Sequence, residues 1–87
     1  MNIYYIEITD LFGGELNYSW VRRFYTTAKS QRGAIQLVAR YYGGKWRQQS
    51  GDSDSMVYHS GGCGCVVDWI AEDELKDKQE HYTIEQL

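Results

Sequence analysis

The sequence predicts an α+β domain: an antiparallel sheet of four to five strands, in the order ββαββ(β), with one helix packed on one face. Three observations carry that prediction. Two long runs rich in β-branched and aromatic residues are separated by Gly13-Gly14. The stretch from Gln31 to Tyr42 repeats its apolar residues at the helical period, and two or three shorter strand-like runs follow. With 87 residues, 43% hydrophobic and 24% charged, the chain has room for one core and the composition of a folded domain. Residues 1–71 are expected to form it, and residues 72–87 to be an acidic C-terminal tail or a short docked helix.

The first strand spans Asn2 to Phe12, where Tyr4, Ile6 and Ile8 share one face at period two. A hairpin turn through residues 13–17 follows, signalled by the glycine pair. The second strand, Tyr18 to Ala28, places Trp20, Arg22, Phe24 and Thr26 on one face and Val21, Arg23, Tyr25 and Thr27 on the other. Neither face is purely apolar, so Arg22 and Arg23 must both reach solvent or a partner past their neighbours.

Ser30 has the chemistry of an N-cap, because its hydroxyl accepts from an otherwise unpaired amide of the first helical turn. Along the helix, Ala34, Ile35, Val38, Tyr41 and Tyr42 form an apolar stripe, while Arg32, Gln36 and Arg40 recur every four residues on the opposite side. Gly43-Gly44 supplies the left-handed residue that ends it. Trp46 to Gln49 reads as a short strand, residues 50–55 as a loop, Met56 to His59 as another strand, Gly61-Gly62 as a turn and Cys63 to Ala71 as the last strand. In that strand Cys63, Cys65, Val67 and Trp69 share a face. Within the tail, Leu75, Tyr82 and Leu87 are the residues able to dock a short helix.

Charge is the strongest functional signal. Between Leu16 and Gly51 lie seven basic residues (Arg22, Arg23, Lys29, Arg32, Arg40, Lys45, Arg47) and no acid, whereas residues 52–87 carry nine acids against Lys76 and Lys78. A formal net charge of −3 thus conceals a strongly basic middle, which suits phosphate or an acidic protein surface. Its bland counterpart is a set of solvated charges balanced by the acidic C-terminal third. Trp20, Arg22, Arg23, Arg32, Arg40 and Arg47 are the candidate binding residues. Arginine offers planar, forked hydrogen bonds, and exposed aromatic rings beside it suit a stacking platform or a protein interface.

Other chemistry is thinly represented. His59, Cys63 and Cys65 are weak candidates for a metal site, since two thiolates two apart share a strand face and His59 lies across a tight turn, but no fourth ligand is evident. Buried free cysteines are the alternative. Neither histidine has a partner at triad spacing, Asp52-Ser53-Asp54 lacks the remaining ligands of a calcium loop, and no phosphate loop is present. The expectation is a protein without catalytic residues or cofactors. Only two cysteines occur, and no run approaches the ~20 apolar residues that span a bilayer, so a cytoplasmic protein without a membrane partner is expected, as a monomer or homodimer.

The stretch from Thr9 to Arg23 (TDLFGGELNYSWVRR), followed by Arg32-Gly33-Ala34-Ile35, resembles small uncharacterised proteins encoded by bacteriophages and mobile elements. The resemblance covers about half the chain. It implies a setting rather than an activity: short phage proteins of this size are often inhibitors that occlude a host machine, anti-CRISPR proteins among them. On that analogy the partner is a host protein or nucleoprotein complex and the compartment is the host cytoplasm; many such inhibitors are strongly acidic nucleic-acid mimics, from which this chain departs by its divided charge, leaving the acids between residues 68 and 85 as the one stretch suited to local mimicry. Direct nucleic-acid binding through the same basic surface, and a homodimeric structural module, are the alternatives.

Overall fold

In the computed structural model, which describes residues 1–87, a six-stranded sheet is sandwiched between two helices. The elements are β1 (Asn2–Phe12), β2 (Glu15–Ala28), α1 (Gln31–Tyr41), β3 (Arg47–Gly51), β4 (Ser55–Ser60), β5 (Cys63–Ile70), α2 (Glu72–His81) and β6 (Glu85–Gln86). Across the sheet the order is β3-β4-β5-β1-β2-β6. Every pairing is antiparallel except that of β6 with β2, which is parallel. The expectation of an α+β domain with one long hairpin and a single helix before the later strands therefore holds in outline. It is corrected in the sheet, which has six strands rather than four to five and is mixed; of the two readings of residues 72–87, the structure has the short docked helix, which covers the other face.

The hairpin is tighter than its sequence suggests. Gly13 and Gly14 both adopt positive φ (61° and 82°), which is the backbone a two-residue turn needs to match the twist of its strands. β2 therefore begins at Glu15, opposite Phe12, three residues ahead of the expected Tyr18. Tyr18 itself sits at φ 58°, and the register of β1 on β2 shifts between Thr9 and Leu11. Side chains carry this irregularity. The Thr9 hydroxyl accepts from Tyr18 N–H at 3.0 Å and donates to the Trp20 carbonyl at 2.8 Å. The Asp10 carboxylate accepts from Ser19 N–H at 2.9 Å and from the Asn17 amide at 2.8 Å, and these bonds hold its pKa well below the usual carboxylate range.

β1 is central, and its alternating side chains feed two cores. Tyr4, Ile6 and Ile8 point to the α1 side, where they meet Phe24, Val67 and the buried helix residues Ala34 and Val38. Tyr5 points to the α2 side, where it packs with Ile70 and Leu75, flanked by Ile3, Tyr25 and Ile84. Ser30 caps α1 as expected, accepting from Gly33 N–H at 3.2 Å, and Gln31 donates to the Val67 carbonyl at 2.7 Å, tying the first turn to the sheet. α2 has little apolar face of its own, because Leu75 is its one buried residue. Its first turn carries Glu72, Asp73 and Glu74 and its last carries Lys78 and His81, an arrangement that complements the helix dipole. Beyond it the chain returns along β2, where Leu87 N–H donates to the Tyr25 carbonyl at 2.9 Å. No helix is long and apolar enough to cross a membrane.

Candidate basic and aromatic contact surface

The alternation of β2 sends Trp20, Arg22 and Phe24 to the α1 side of the sheet, where the last turn of α1 meets them. Phe24 is buried, and Tyr42 lies edge-on to it with ring centroids 5.8 Å apart and planes inclined at 70°. The Arg22 guanidinium sits over both rings, 5.3 Å from the Phe24 centroid and 5.9 Å from that of Tyr42. Trp20 and Tyr41 are largely exposed, at 41% and 62%, and Arg40 lies 6.0 Å from the Tyr41 ring. The helical stripe read from sequence is thus shortened. Ala34 and Val38 are buried and Tyr42 reaches Phe24, whereas Tyr41, at the border of the stripe, is exposed.

A strap behind this cluster holds it in place. The Trp46 indole donates to the Gly43 carbonyl at 2.8 Å, and Lys45 N–H donates to the Ser60 hydroxyl at 2.8 Å. Gly44 has φ 99°, and a Cβ there would come within 2.8 Å of the Trp46 ring, so the strap requires glycine on both counts.

The six candidate arginine and tryptophan residues do not form one patch. Trp20 and Arg22 lie on the α1 side of β2, and Arg32 and Arg40 are exposed on the outer side of α1. Arg23 points the other way, beneath α2. Its guanidinium is 4.0 Å from the Tyr82 ring centroid and its Nε is 3.5 Å from Glu7 Oε2, which also accepts from the Tyr5 hydroxyl at 2.7 Å. Burial, and then this bond to the Glu7 carboxylate, push the Tyr5 phenol up. Arg47 is at the far edge of the sheet, on β3, opposite His59.

Electrostatics single out the α1 side. The structure contains three ion pairs, Arg22–Glu85, Arg23–Glu7 and Lys76–Glu72. Of the seven basic residues in the middle of the chain, Lys29, Arg32, Arg40, Lys45 and Arg47 therefore have no carboxylate within 4.0 Å. Internal balancing accounts only for Arg22 and Arg23, and the Arg22 pair is exposed and long at 3.5 Å, a geometry of small energetic weight. The acids Glu72, Asp73, Glu74, Asp77 and Glu80 all lie on α2, on the opposite face of the sheet.

The sequence-level metal reading is corrected by the register. His59 pairs with Gly64, and Ser60 with Cys63, so His59 projects to the α2 side while Cys63 and Cys65 project to the α1 side. Cys65 is fully buried, and burial pushes its thiol up to about 12, the behaviour of a structural cysteine. No group of three metal-ligating side chains converges anywhere in the chain. Asp52-Ser53-Asp54 is a turn: the Asp52 carboxylate accepts from Asp54 and Ser55 N–H, at 2.9 and 3.1 Å, and these bonds lower its pKa.

Set beside known proteins, the chain matches no family model, no curated protein and no solved structure.

Proposed function

We propose that this chain is a small binding protein of phage type that works by contact, docking the α1 side of its sheet on a host nucleic-acid-handling defence complex and obstructing it, as anti-CRISPR proteins do. The observation that carries this reading is the segregation of charge. Arg32, Arg40 and Lys45 have no carboxylate within 4.0 Å and lie on the side that exposes Trp20, Tyr41 and Tyr42, while the carboxylates of α2 occupy the other face. An arginine beside an exposed aromatic ring is the pairing in which interface energy concentrates. The resemblance of Thr9 to Arg23 to phage-encoded proteins supports the setting. The same unpaired cations favour a second reading, direct binding of nucleic acid, in which each would neutralise a phosphate.

A pull-down of the purified protein from bacterial lysate, with nuclease treatment and a salt series, separates the two. The contact reading expects a nuclease-resistant protein partner, with retention falling at least about tenfold for Trp20→Ala combined with Arg40→Glu. Recovery of nucleic acid alone, lost on nuclease treatment and steeply with salt, would overturn it in favour of direct binding. Arg23→Glu is unsuitable as a test, because it would set a second carboxylate beside Glu7 under α2.

A further inference from the structure

Residues 72–87 are joined to the rest of the molecule by little buried apolar surface. The α1-side core has eleven buried residues and the α2-side core three, of which only Leu75 comes from α2. β6 adds two paired residues and one further backbone bond, from Leu87 N–H to the Tyr25 carbonyl at 2.9 Å. Ile84 packs in the α2-side core and Leu87 against the α1-side core, so the segment bends round the edge of β2. A stretch held this lightly belongs to the part of a fold that opens first.

The remaining contacts set a cation against a ring or a carboxylate. Lys78 Nζ lies 4.5 Å from the Tyr5 ring centroid, and the Arg23 guanidinium lies 4.0 Å from that of Tyr82, the C-cap of α2. Glu85 reaches Arg22 at 3.5 Å. Only Tyr82, Thr83 and Ile84 connect α2 to β6, and two of these three are packed, Tyr82 on Arg23 and Ile84 in the α2-side core. A helix leaving the sheet therefore pulls on the contacts that seat β6. The closed state also carries a cost. Arg23 Nε is buried without a hydrogen-bond partner, Glu7 Oε2 standing 3.5 Å away, and water would satisfy it on opening. We infer that residues 72–87 are a strap that opens and closes as one unit while α1 and the other five strands stay folded. Closed, it covers Tyr5, Ile70 and the edge of β2 at Phe24 and Tyr25; open, it bares them, and a bared edge is a template for pairing.

Purified protein alone tests this, and its failure would leave the Trp20 and Arg40 surface untouched. The measurement is native-state amide hydrogen exchange, followed by NMR in rising sub-denaturing urea. The amides of Leu75 and Tyr82, which donate to the Ala71 and Lys78 carbonyls, and that of Leu87 should share one opening free energy and one urea slope, both smaller than for amides of β1 and β5. Tyr82→Ala removes the ring beside Arg23 and should raise the opening constant at all three amides about fivefold. Ile6→Val, in the α1-side core, should speed exchange in β1 and β5 about fivefold and leave the three strap amides unchanged, because the strap opens without disturbing that core. Opening energies that differ between α2 and Leu87 would overturn the single unit. Strap amides that exchange only together with β1 and β5, or that Ile6→Val speeds equally, would overturn the opening itself.

Discussion

Arg22 and Arg23 are neighbours in the chain with separate environments, and the strand period is the reason. Arg22 is half-exposed over Phe24 and Tyr42, while Arg23 braces α2 through Glu7 and Tyr82. At the same residue scale, Cys65 and two tyrosines make the fold sensitive to base. Burial raises the thiol of Cys65 from 9.0 to about 12 and also raises the phenols of Tyr58 and Tyr5, the last aided by Glu7. Each group keeps its proton in the native state at a pH where the unfolded chain releases it. The stability this contributes is complete below the unfolded pKa values and is lost as pH rises toward the folded ones. Thermal melts should accordingly show a melting temperature steady through neutral pH and falling between pH 9 and 12, the window set by Cys65. A melting temperature that held steady to pH 11 would contradict the burial assigned to these groups. Iodoacetamide at neutral pH should modify the half-buried Cys63 and spare Cys65 until denaturant is added, as read by intact mass.

At the scale of elements, what was legible follows how much periodic signal each one carries. β1 is recovered from Asn2 to Phe12 because eleven residues of β-branched and aromatic character leave little alternative. α1 is recovered with its Ser30 cap because the cap and the helical period agree. β6 pairs through just two residues, too few to show any period, and α2 is a polar helix whose attachment rests on Leu75. Its docking depends on contacts with Tyr5 and Ile70 on strands far away in sequence, which no local pattern announces. Leu75→Ala should therefore cost about 2–4 kcal/mol in denaturant unfolding, as for buried leucines elsewhere, and should loosen α2 while the α1-side core persists. Amide exchange would reveal this as protection lost in residues 72–81 and kept in β1 and β5. Uniform loss across both faces would mean instead that the two cores are not separable.

At the scale of the whole molecule, Arg32 and Arg40 of the basic middle lie on one side of the sheet and the five α2 carboxylates on the other, while Arg23 and Arg47 share the α2 side. The separation was legible as composition, and Arg32 and Arg40 were legible as outward because they recur every four residues opposite the buried stripe. The division of the arginines between two faces was partly legible from strand alternation. The return of Glu85 to Arg22 was not, since it joins residues 63 apart through a strand of two residues. Sidedness has a consequence for association. Carboxylates on α2 face away from a partner docked at α1, so they do little to offset attraction there, and Arg32, Arg40 and Lys45 have no carboxylate within 4.0 Å. Arg32→Glu with Arg40→Glu reverses that field at two exposed positions that make no ion pair, so the fold should survive. The cost is confined to about 0.3–1 kcal/mol from placing an acid in the last turn of α1. Partner capture should fall sharply in this variant while its melting temperature stays within a few degrees of the parent. The salt series then distinguishes the mode of binding. If the two single variants weaken capture equally and each lowers the logarithmic salt slope by about one, phosphate neutralisation is at work. If Arg40→Glu, beside Tyr41, accounts for most of the loss, the energy is concentrated as in a protein interface. Capture unchanged in the double variant would remove the α1 side from the binding surface altogether.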